Sequence, residues 1–191
     1  MEFRTNTNLA VTGSLLDVAN QSGLSIAESF MNVDAVILVD VSGSMSERDT
    51  ASGESRYQVA LAELEKLQSE LPGKIAVCGF SDHTKFAVGG IPQFSQGMTD
   101  MVKALEFIKK VDGCGIKLIL ISDGEPDDSI ATLKIARTFE SKIDTVFVEK
   151  ENSAGRNFLQ QLSNATGGIS VCQETEKLHF LGTNLKLLLG E

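Results

Sequence analysis

The chain has 191 residues, 26 acidic against 17 basic, for a formal charge of −9. That balance opposes both the phosphate backbone of nucleic acid and anionic lipid, and no run reaches the roughly eighteen continuous apolar residues that span a bilayer. One domain of this length can bury on the order of 70% of its unfolded surface without disulfide staples.

Residues Met1 to Thr5 lack a basic region followed by an apolar stretch, so no secretory signal is expected. Cys78, Cys114 and Cys172 lie far apart with no C-x-x-C spacing. They read as reduced, mostly buried small hydrophobes, which favours the cytoplasm or another reducing compartment. Residues 1–32 form an arm ahead of a domain spanning 33–191. Within the arm, Leu15-Leu16-x-Val18-Ala19 allows a short helix. Ser25-Ile26-Ala27-Glu28 has the form of a capping box and predicts a second helix through about Met31. The arm is expected to pack in cis.

Val36-Ile37-Leu38-Val39 is apolar without alternation, the pattern of a strand buried on both faces in a parallel sheet. It stops at Asp40-Val41-Ser42-Gly43-Ser44-Met45. Oxygen donors there sit outside a strand's carboxyl end, where open α/β sheets bind ligands; the same residues would also serve as an ordinary polar turn. Ser46 to Ser55 is a polar, exposed connection. Arg56 to Leu71 is a helix, with Val59, Leu61, Leu64, Leu67 and Leu71 on one face and Pro72-Gly73 at its end. Lys74 to Phe80 is a second buried strand.

Lys85 to Val88 follows too soon for a parallel crossover, so it must turn back antiparallel at an edge. Residues 91–98 form a loop, and Thr99 is a natural N-cap for a helix with Met101, Val102, Leu105 and Ile108 inward. Lys109 and Lys110 close that helix. Ile116 to Ile121 is a third buried strand, and it halts at Ser122-Asp123-Gly124-Glu125. Pro126 suits the first turn of a helix running to about Ser141, with Asp127 and Asp128 complementing its positive end. A strand from Ile143 to Val148, a helix from about Ala154 to Ala165, a short strand from Gly168 to Cys172 and a closing helix with Leu178, Leu181, Leu185 and Leu188 complete the chain. The alternation predicts an α/β doubly wound fold: a mostly parallel six-stranded sheet of order 3-2-1-4-5-6, strand 3 antiparallel, with helices on both faces.

Asp40, Ser42, Ser44, Thr99 and Asp123 together make an all-oxygen donor set from neighbouring loops, suited to Mg²⁺ or Mn²⁺ rather than zinc. Asp40-Val41-Ser42-Gly43-Ser44-Met45, Gly97-Met98-Thr99-Asp100 and Ser122-Asp123-Gly124-Glu125-Pro126 resemble the three parts of the metal-ion-dependent adhesion site of von Willebrand factor A (vWA) domains. The resemblance covers roughly residues 33 to 189. It implies that Ser42 and Ser44 ligate the metal directly and that Thr99 joins in the ligand-bound form. Asp40 and Asp123 would act chiefly through water or hydrogen bonds. Met98 stands where the family often has glycine, and the 46–55 loop is long; both reshape the rim, to which Glu47, Arg48, Asp49, Glu125 and Asp127 are assigned.

The resemblance implies a non-enzymatic binding module whose metal receives an acidic residue of a protein partner. Intracellular members often act as adaptors in multiprotein assemblies, including with MoxR-type AAA+ ATPases. The rivals are a metal-assisted or Ser-His-Asp hydrolase and a metal-free structural subunit. Against catalysis, only His83 and His179 are present, and neither a G-x-S-x-G elbow nor a nucleotide-binding glycine motif occurs.

Overall fold

Three apolar runs and a mixed fourth strand build the centre of the sheet. β1 (Ala35–Asp40) and β2 (Ile75–Phe80) are buried along their whole length, and β4 (Lys117–Ser122) at every position but its first. β5 (Ile143–Phe147) is buried save for Asp144. Two short strands, β3 (Thr84–Phe86) and β6 (Ser170–Cys172), close the edges. The computed structural model describes residues 10–124, 126–148 and 154–190. In it the strands take the order β3-β2-β1-β4-β5-β6, all parallel except the β2–β3 pair, as the alternation of elements predicts.

Alternate residues of β1 feed two separate cores. Val36 and Leu38 pack with Cys78, Phe80 and Leu120 beneath α1 (Leu15–Ser22), α4 (Met101–Ile108) and α6 (Ala154–Thr166). Ile37 and Val39 pack with Val77 and Ile121 beneath α3 (Arg56–Glu70) and α7 (Leu181–Leu189). This two-sided burial explains the lack of alternation in the strand sequences.

Residues 10–32 are stitched to the β3 edge. Leu15 and Ala19 are buried, Val11 N–H donates to the Gly89 carbonyl (2.9 Å) and Leu16 N–H to that of Val88 (3.1 Å). Gly13 is required where the arm crosses α3. Its φ is +78°, and a Cβ there would lie 2.0 Å from the Gln68 carbonyl oxygen. The Ser25–Glu28 capping box forms as expected and opens α2 (Ile26–Phe30).

Several boundaries differ from expectation. α5 is Ser129–Ala136, ending five residues short of Ser141. Asp112 draws off the N–H groups of Glu140 (3.0 Å) and Ser141 (2.8 Å), which a continuing helix would turn towards its own carbonyls. At the other end Asp128, not Pro126, sits at the helix boundary, accepting from the Ala131 N–H at 2.8 Å. The closing leucines fall on two pieces, a 3₁₀ turn (Thr175–Phe180) and α7, which meet at Phe180 (φ −96°, ψ 4°). Leu178, Leu181 and Leu185 are nonetheless all buried. Of the cysteines only Cys78 is buried, its thiol pushed up to about 12 by that burial; Cys114 is exposed and Cys172 half-buried. All three are free. Among the described residues no helix is long and apolar enough to cross a membrane.

Asp112 also yields a pH prediction. Burial by itself would raise its carboxyl, but the Lys109 ammonium (2.6 Å) and the Ser141 and Glu140 N–H groups hold it well below the usual carboxylate range. A depressed folded pKa stabilises above the unfolded value of about 3.9, and that contribution is lost as pH falls towards the folded value. Asp112→Asn should therefore cost about 1–3 kcal/mol at neutral pH in urea unfolding, the worth of charged hydrogen bonds. The gap to the wild type should narrow as pH drops below about 4.

Candidate metal centre

Because β1 and β4 are neighbours in parallel register, with Val39 opposite Ile121, the chain delivers Asp40 and Ser122–Asp123 to one point at the carboxyl ends of the strands. Strand order reverses there, since β1 leads outward to β2 and β4 to β5. Both aspartates are buried, at 0% and 2% exposure.

Asp40 organises the first loop. Its Oδ1 accepts from the Ser42 N–H (2.9 Å) and its Oδ2 from the Ser122 hydroxyl (2.6 Å). The chain then makes a 3₁₀ turn over Gly43–Ser46, anchored by the fully buried Met45. This turn sets the Ser42 and Ser44 Oγ atoms 3.2 Å apart, and Ser44 donates to Asp123 Oδ1 at 2.7 Å.

The second loop joins through the main chain, where Gly43 N–H donates to the Gly97 carbonyl (3.2 Å). A Cβ at Gly97 would come within 2.4 Å of Asp82 Oδ2, so the Asp82 carboxylate would have to shift. Asp82 Oδ1 in turn accepts from the Met98 N–H (2.8 Å), and the Met98 side chain is left exposed. Thr99 is held from both sides, its N–H donating to Asp127 Oδ1 and its carbonyl accepting from the Asp127 N–H, each at 3.1 Å. These bonds use the main chain and leave the hydroxyl out. Thr99 is also not the helix cap: Asp100 takes that role, accepting from the Lys103 N–H at 2.9 Å.

Sequence reasoning missed Arg56 and the bonding role of Ser122, and it assigned Asp49 only to the rim. Arg56, the first residue of α3, is buried. Its Nη1 donates to Asp123 Oδ2 (2.7 Å), while Nε and Nη2 grip both oxygens of Asp49 (2.9 and 2.7 Å). Asp49 thus faces inward instead of forming rim, and Asp127 is a strut for Thr99. Glu125 lies outside the described residues. Glu47, Arg48 and Asp127 are exposed, as is Met98 on the second loop. Nor is the 46–55 loop simply exposed: Thr50 is buried and donates to the Glu54 carbonyl at 2.6 Å.

Burial raises the Asp40 carboxyl to about 6, against the hydrogen bonds from Ser122 and Ser42 that lower it, with Asp123 adding to the rise. Arg56 is the reverse case. Burial works against its charge, but Asp49 and Asp123 outweigh that and hold the guanidinium firmly protonated. Among the described residues, Asp123 has a cationic partner and Asp40 has none.

The donor set fits a small hard cation. At Mg–O distances of 2.0–2.1 Å, adjacent ligands of an octahedron lie about 2.9 Å apart, near the 3.2 Å spacing of the Ser42 and Ser44 hydroxyls. Among the described residues no three of His, Cys, Asp and Glu gather as metal ligands, so any ion here depends on hydroxyl oxygen.

No family model matches the chain, and no curated protein does. Among solved structures it is similar to a von Willebrand factor type A protein from Catenulispora acidiphila, with a TM-score of 0.55 and 16% identity over 81% of this chain. It is also matched by the RO (RSR) protein of Deinococcus radiodurans, with a TM-score of 0.42 and 16% identity over 72% of this chain and 35% of that one. The first likeness shows that the fold is that of a vWA domain. This chain spans 41% of the Catenulispora chain's length.

Proposed function

We propose that this domain is a non-enzymatic binding module that presents Mg²⁺ or Mn²⁺ to an acidic side chain of a protein partner. The observation that carries this reading is the Ser42–Ser44 hydroxyl pair, set 3.2 Å apart between two buried carboxylates, one of which lacks a cation. Ser42 and Ser44 would hold the ion directly, and Thr99 would add its hydroxyl when a partner is bound. Asp40 and Asp123 would act through hydrogen bonds. Asp123 would take the Ser44 proton's hydrogen bond so that the lone pairs face the ion. An ion held mainly by neutral hydroxyls keeps enough charge to attract a carboxylate.

An adaptor role in a cytoplasmic assembly, with a MoxR-type AAA+ ATPase as one partner class, rests on the family resemblance. The Arg56–Asp123 pair gives some support to a second reading, a metal-free structural subunit, because one carboxylate already has a counter-charge.

Calorimetric titration separates the two. The wild type should bind Mg²⁺ or Mn²⁺, and Ser44→Ala should abolish the heat of binding while costing the apo protein only about 0.5–1.5 kcal/mol, the worth of one hydrogen bond. Identical titration of both proteins would remove Ser44 from the site, and no binding by either would favour the structural subunit.

A further inference from the structure

We infer that Arg56 is a resident counter-ion of the metal centre, neutralising Asp123 so that the apo site stays folded and the occupied site keeps a positive surplus for its partner. The inference rests on the metal-binding reading above. The Arg56 side chain is 6% exposed and that of Asp123 fully buried, so their contact at 2.7 Å is shielded from water. A buried carboxylate without a partner is strongly destabilising. Two such groups, Asp40 and Asp123, meet at this point, and a divalent ion facing both alone would be neutralised by them. With Arg56 answering Asp123, the ion need balance only Asp40, and an incoming carboxylate meets a net positive centre. Asp49, the outer partner of Arg56, is more exposed, at 21%, and stands on the far side of the guanidinium from Asp123.

The position of Arg56 in the chain argues the same way. A cation at the first residue of a helix opposes the helix dipole, and Ser55 and Gln58 already cap α3 with a complete capping box. Helix formation thus gives no reason for a cation here, and its contacts with Asp123 and Asp49 do.

The test compares Arg56→Gln with Arg56→Lys, which retains the charge but loses the fork. Melting temperature is read in EDTA and in Mg²⁺ at equal ionic strength, with Mg²⁺ affinity by calorimetry. Arg56→Gln should melt lower in EDTA, recover at least half of that loss in Mg²⁺, and bind Mg²⁺ no more weakly than the wild type, because ligand binding to the folded state supplies the missing charge. Arg56→Lys should respond to Mg²⁺ as the wild type does. If Arg56→Gln is unfolded in EDTA, recovery of its circular dichroism in Mg²⁺ supports the inference, and no recovery overturns it. Equal losses in the two variants, with no Mg²⁺ response beyond that of the wild type, would make Arg56 a structural fork and overturn the inference alone. A wild type that binds no metal would overturn the metal reading as well.

Discussion

Asp123→Ala is expected to remove about 3–5 kcal/mol of stability and all metal affinity in one step. The carboxylate is fully buried and has both oxygens engaged, Oδ1 by the Ser44 hydroxyl and Oδ2 by the Arg56 guanidinium. Deleting it removes one carboxylate partner from the buried guanidinium, and breaking one side of a buried ion pair costs about that much. It also frees Ser44 from the bond that orients it. Urea unfolding and a Mg²⁺ titration read the two losses separately. A stability loss below about 1 kcal/mol would mean that Asp49 alone satisfies Arg56 and that Asp123 is not its counter-charge.

Leu38→Ala should do damage of the opposite kind. Leu38 is fully buried in the middle of β1, on the face covered by α1, α4 and α6. Truncation leaves a cavity in close-packed surroundings and should cost about 2–5 kcal/mol. Asp40 lies two residues on and is fixed by its own bonds to Ser42 and Ser122, so the folded fraction should keep the wild-type Mg²⁺ affinity. Denaturant midpoints and calorimetry under folding conditions check both halves. A tenfold fall in affinity, about 1.4 kcal/mol, would show that strand packing sets the site's geometry.

The contrast reflects which features are local in sequence. Unbroken runs such as Val36 to Val39 announce central strands because both faces are buried, and the short spacing to Lys85 forces an antiparallel return. Asp40, Ser42 and Ser44 were legible because they lie on one turn directly after such a run. Arg56 was not, since it meets Asp123 across 67 positions of sequence. Its one local trace is a cation at a helix start, where the dipole disfavours it. The cap of α4 could not be read either, because Thr99 and Asp100 are both good caps and only the tie of Thr99 to Asp127 decides between them. The early end of α5 has the same origin, with Asp112 acting from 28 residues away.

Metal placement is the central claim, and anomalous diffraction from crystals grown with Mn²⁺ tests it most directly. The account predicts one strong anomalous peak at bonding distance from the Ser42 and Ser44 Oγ atoms, beside Asp40 and Asp123, and its loss in Ser44→Ala crystals grown the same way. A peak elsewhere on the chain, or none at Mn²⁺ concentrations that saturate calorimetric binding, would contradict it.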